Sequence, residues 1–125
     1  MYSHNMVGSN DIAKAKIFYD ALFVATGGKE GFEDDKGRLI YMNNNGLFMV
    51  TPPIDGKPAT VGNGCTIGFA MENTEQADAW HAAGLANGGT AIEDPPGWRE
   101  ASFGRLYLAY LRDPDGNKLC ALKRG

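Results

Sequence analysis

Residues 105–122 read RLYLAYLRDPDGNKLCAL, two strand-forming runs on either side of Asp113-Pro114-Asp115-Gly116. Pro and Gly inside so short a break favour a tight reversal, so the stretch predicts an antiparallel hairpin. Residues 38–50, RLIYMNNNGLFMV, repeat the pattern with Asn45-Gly46 at the apex. Asn-Gly is a strong hairpin signal because both residues accept positive φ. Upstream of each hairpin stands a Gly pair, Gly27-Gly28 and Gly88-Gly89, and upstream of each pair a helical pattern. In the first, Ile12, Ala15, Phe18, Tyr19 and Leu22 recur at three- and four-residue steps, with Asn10 or Asp11 as the capping residue. In the second, Ala77, Trp80 and Leu85 mark the apolar face and Thr74 is the expected cap. Short strands, YSHNMVG (2–8) and CTIGFAM (65–71), precede the two helices. The order strand, helix, hairpin strands therefore occurs twice, an α+β pattern. One domain is expected, made of repeats at about 1–51 and 65–125, with the Pro- and Gly-rich segment 52–64 as their linker.

Composition narrows the function classes. Twelve Lys and Arg against 15 Asp and Glu give a net charge of −3, without the basic footprint that nucleic-acid binding requires. The longest charge-free stretch, Leu39–Ile54, contains three Asn and two Pro and does not read as a membrane span. The polar start MYSHNMVGSND has no secretory apolar core, so a cytoplasmic location is expected. Two distant cysteines, Cys65 and Cys120, suit a reducing compartment. No CxxC, HExxH, GxGxxG, Walker lysine or GxSxG motif occurs.

The segments SHNMVGSNDIAKAKIFYDAL, DGKPATVGNG, WHAAGLANGGT and YLAYLRDPDGNKLCAL together resemble the vicinal oxygen chelate superfamily, which comprises glyoxalases, bleomycin resistance proteins and dioxygenases. The DPDGN turn is the most specific piece. The resemblance implies two βαβββ modules, each a curved mixed sheet with its helix outside, and a homodimer. It implies a small organic ligand in the cup of the sheets, held in many members through a divalent metal (Zn, Ni or Fe). The family's ligand positions fall on His4 in the first strand, Thr66 in the middle strand and Cys120 in the final strand. A neutral hydroxyl at Thr66 and a thiol at Cys120 replace the usual imidazole and carboxylate. The expectation is accordingly a degraded metal site, with no cofactor or only a loosely specified metal.

Strand parity supplies further candidates. A two-residue Asn45-Gly46 turn sets Tyr41 opposite Val50 and Asn43 opposite Phe48. With two or four residues in the DPDG loop, Tyr107 shares the face of Cys120; an odd loop turns that set around. The expected cup then holds His4, Tyr41, Asn43, Phe48, Thr66, Tyr107 and Cys120. In the middle strand, Cys65, Ile67, Phe69 and Met71 should pack on helices, while Thr66, Gly68 and Ala70 leave room. The stretch 93–105 reads as an irregular loop carrying Trp98 and Arg99 to the cup mouth, where Arg99 and Arg105 suit a carboxylate or phosphate. The simpler role for Arg99 is pairing with Glu100 or Glu93. His81 reads as a packing histidine on the outer helix face, and Glu72 as a favourable charge at the second helix start. Three functions remain open. They are a small-molecule binding protein, a metal-dependent lyase, isomerase or dioxygenase with atypical ligands, and a purely structural module.

Overall fold

The computed structural model describes residues 1–125. Strand β1 (His4–Gly8) leads into helix α1 (Ile12–Ala25), then β2 (Phe32–Glu33), β3 (Leu39–Asn43) and β4 (Gly46–Thr51). Strand β5 (Ile67–Ala70) leads into α2 (Thr74–Ala86), then β6 (Thr90–Ala91), β7 (Gly97–Ala101), β8 (Gly104–Arg112) and β9 (Lys118–Arg124). The first sheet runs β1-β4-β3-β2 and the second β5-β9-β8, with β6 and β7 both on β8. In each, the first strand lies parallel to the last and the hairpin is antiparallel. No helix is long and apolar enough to cross a membrane.

Asp11 caps α1, its carboxylate accepting the Lys14 N–H at 3.0 Å. The second cap is Asn73 rather than Thr74: Asn73 Oδ1 accepts the Gln76 N–H at 2.7 Å, and Thr74 is already the first helical residue. Both caps are short Asx side chains in extended backbone, as a free first-turn donor needs. Segment 93–105 also departs from expectation. Residues 97–101 form a strand, because their backbone pairs with β8 from Gly97–Leu108 to Ala101–Gly104.

One core joins the two halves. From the first come Phe18, Tyr19, Leu22, Leu39, Tyr41, Phe48 and Val50; from the second come Trp80, Ala109, Leu111, Leu119 and Ala121. Helices α1 and α2 pack together between the sheets, so each sheet has a helix face and an open face. Gly84 of α2 sits at this contact: a Cβ there would lie 2.3 Å from Leu111 Cδ1 and 3.2 Å from Leu22 Cδ2.

Register decides which residue occupies which face. The first hairpin pairs Asn43 with Gly46 and Tyr41 with Phe48, so its turn is Asn44-Asn45, one residue earlier than the Asn-Gly signal indicates. The partner of each residue moves by two positions, so its face is unchanged. Tyr41, Asn43 and Phe48 do share one face, and it is the helix face. The second hairpin pairs Arg112 with Lys118 and Tyr110 with Cys120, which leaves an odd, five-residue loop over 113–117. Tyr107 is therefore on the helix face, opposite Lys123, and Cys120 is on the open face.

Candidate functional site

A cleft of about 470 Å³ opens between the helix face of the first sheet, the C-terminal end of α1, strand β5 and the start of α2. Its walls are aromatic: Phe23, Tyr41, Phe48, Phe69 and Trp80. The rings brace one another. Phe23 stacks on Tyr41 at 4.7 Å, and Phe69 meets Phe48 edge-on at 5.3 Å. Polar groups reach the same space from Asn5, Asn43 and Gln76, with Lys29 and Glu72 at the rim. Gln76 is fixed on both sides, donating to the Thr26 carbonyl at 2.8 Å and accepting the Glu72 N–H at 2.7 Å. The Tyr41 hydroxyl donates to Asp20 Oδ1 at 2.7 Å. Burial, reinforced by that bond and the Asp20 charge, raises the Tyr41 hydroxyl far above the ordinary phenol range. Tyr41 is therefore a neutral, oriented wall and not an acid–base group.

Of the sequence candidates, Tyr41, Asn43 and Phe48 line this cleft together. Tyr107 and Trp98 lie elsewhere, edge to face at 5.4 Å beside α2. The Tyr107 hydroxyl donates to Asp78 at 2.6 Å, and that bond, with burial and the Asp78 charge, pushes it up to about 12. Arg105 covers the Trp98 ring at 4.3 Å and meets Glu100 at 3.5 Å. Arg99 pairs with neither Glu100 nor Glu93. Its guanidinium donates to the carbonyls of Leu108, Asp94 and Pro95 at 2.8–3.1 Å, fixing the turn into β7. His81 packs half-buried on α2; burial lowers its imidazole, and the Tyr110 carbonyl and Asp78 oppose that. The cleft residues Phe23, Phe69, Gln76 and Trp80 are not among the sequence candidates. The alternation of β5 does set Phe69 toward the helices, and that was the available signal.

The family's metal positions do not assemble into a centre within the chain. His4 is exposed on the open face of the first sheet, with its Nδ1 2.8 Å from Ser3 Oγ. Thr66 lies in the loop just before β5 rather than in the strand, and Cys120 belongs to β9 of the second sheet. Burial pushes the Cys120 thiol up, which opposes the thiolate a metal requires, and the S–H donates to the Ala121 carbonyl at 3.5 Å. No three His, Cys, Asp or Glu side chains converge anywhere in the chain. These residues do not fit a zinc, nickel or iron centre, for which three protein donors and an open position are usual.

The model of the glyoxalase/bleomycin resistance protein/dioxygenase superfamily matches residues 2–121. A glyoxalase/bleomycin resistance protein from Albidiferax ferrireducens T118 is 56% identical over 99% of both chains, with a TM-score of 0.96. A glyoxalase/bleomycin resistance protein/dioxygenase family enzyme from Burkholderia phytofirmans PsJN is 16% identical, covering 98% of each chain at a TM-score of 0.70. A hypothetical protein from S. aureus is 18% identical over 98% of this chain and 92% of its own, at a TM-score of 0.72. These last two share the fold alone. No curated protein matches the chain. The repeated strand–helix–hairpin plan, the paired mixed sheets and the match over nearly every residue make the chain a member of the glyoxalase/bleomycin resistance protein/dioxygenase superfamily.

Proposed function

We propose that this protein binds a small, largely apolar organic molecule in the aromatic cleft between its two halves, and that it works in the cytoplasm as a homodimer. The observation that carries the reading is the cleft itself. At about 470 Å³ it lies in the usual size range of ligand sites, and it combines five aromatic walls with a few amide groups. The rings supply apolar area, while Asn5, Asn43 and Gln76 supply orientation. The lining contains no arrangement of nucleophile and base, so binding rather than group transfer is the chemistry it supports.

Titration with the neutral fluorescent probe N-phenylnaphthylamine tests the reading. Its emission should rise saturably on binding. Asn5 lines the cleft from the edge strand β1, and Asn5→Phe should fill that space. The variant is expected to weaken probe binding by about tenfold or more, equal to ~1.4 kcal/mol, with its circular dichroism unchanged. Equal probe affinity in a folded Asn5→Phe protein would sink the proposal.

A further inference from the structure

A second cavity, of about 340 Å³, lies on the open face of the second sheet, between the loop Val61–Thr66 and the turn-proximal ends of β8 and β9. It shares no residue with the aromatic cleft. Its only charged lining groups are Arg112 and Lys118, and these stand directly opposite each other across the two strands. Like charges in that relation repel, and both side chains are only half exposed. Arg112 Nη1 donates to the Gly116 carbonyl at 2.8 Å, which fixes the guanidinium and leaves its other N–H donors available. Lys118 stands 5.0 Å from the centre of the Tyr110 ring and pairs with Glu93, whose carboxylate lies outside the cavity lining. Asn63 and Thr66 add neutral donors, and the exposed Cys65 lies at the edge. A pocket whose charges are two cations, surrounded by neutral donors and lacking any lining carboxylate, is built for an oxyanion.

We propose that this pocket seats the carboxylate or phosphate group of a small ligand between Arg112 and Lys118, with the Thr66 hydroxyl and the Asn63 amide as further donors. Thr66 is then an anion donor rather than a failed metal ligand. Glu93 acts as an internal competitor for Lys118, so its removal strengthens anion binding.

Cys65 provides the reporter, since Cys120 is buried. Its disulfide exchange with the dianionic reagent dithiobis(nitrobenzoate) would be timed during titration with inorganic phosphate and, separately, acetate, at ionic strength held constant with chloride. Neutral dithiodipyridine serves as the uncharged control. Saturable slowing of the dianionic reagent is expected. Protection by phosphate alone, by acetate alone or by both identifies which oxyanion the pocket takes. Lys118→Gln should weaken protection by about tenfold, the worth of one charge-assisted contact, and Glu93→Gln should tighten it. Circular dichroism checks that both variants are folded, and their opposite signs separate anion binding from a general loss of structure. Absence of protection by either anion, or unchanged affinity in folded Lys118→Gln, would overturn the proposal. Naphthylamine binding in the aromatic cleft is read independently of either result.

Discussion

The Asp113 carboxylate accepts four hydrogen bonds. Its Oδ1 takes the backbone N–H groups of Asp115 and Asn117, and its Oδ2 takes the Tyr19 hydroxyl at 2.6 Å and the Asn117 amide at 2.8 Å. The DPDGN turn, the most specific piece of the sequence, is thus a structural hub. It reaches α1 through Tyr19, β1 through Asn117 and the Gly8 carbonyl, and the residue before the α1 cap through Asp115 and the Asn10 N–H. Burial, with the Asp113 charge, drives the Tyr19 hydroxyl far above its ordinary range, so the phenol keeps the proton it donates. Asp20 works differently. Burial alone would raise its carboxyl, but the bonds from Lys16, Tyr41 and the Gly31 N–H outweigh that and hold it below the usual carboxylate range. Below about pH 4, near the ordinary carboxylate pKa of ~3.9, the unfolded chain binds this proton more readily than the folded one. Stability is therefore lost as pH falls from about 4 through the folded value. Urea titrations across that window should show a shallower loss in Asp20→Asn than in the natural sequence.

At the scale of elements, glycine and register decide the outcome. Gly84 gives up helix propensity so that α2 can approach α1 and β8. Gly84→Ala should gain about 1 kcal/mol of propensity and lose about 1–3 kcal/mol to overpacking. The net expectation is destabilisation of up to about 2 kcal/mol, read as a lower urea midpoint. The helices and both hairpins were legible because apolar spacing and Gly pairs act locally. The faces were legible only where errors had the right parity. An apex placed one residue late set Tyr41 opposite Val50 where the structure has Phe48, and kept its face. The odd loop after Arg112 moved Tyr107 away from Cys120, because Asp113 closes that turn with its own side chain. Such a closure depends on Tyr19, Gly8 and Asn10, far away in sequence. For the same reason the site was only partly legible. Tyr41, Asn43 and Phe48 were readable as one strand-pair face, whereas Phe23 and Trp80 join them only through the packing of α1 on α2.

Taken as a whole molecule, the chain covers the helix faces of both sheets and leaves their open faces outward. On the first sheet, Met6, Met42 and Phe32 are 38%, 65% and 55% exposed on that side. Each belongs to a pairing row that alternates away from the core residues Tyr41 and Phe48. On the second sheet's open side, Leu106, Leu108 and Cys120 are already buried within the chain, with Leu122 packed against them. The exposed apolar area of the first sheet supports the proposed homodimer. Light scattering should give twice the chain mass, and Met42→Glu should shift the population toward monomer with its secondary structure intact. A monomeric natural protein at micromolar concentration would remove that part of the reading.

The reach of the DPDGN turn also has a consequence for how the chain is made. Tyr19 and the Gly8 carbonyl leave the ribosome well before their partners Asp113 and Asn117, which lie 94 and 109 residues further along the chain. The nascent first half therefore waits, with a phenol and a strand carbonyl unsatisfied, until the closing hairpin emerges. Closure of the first half onto the second is in this sense timed by the appearance of that hairpin.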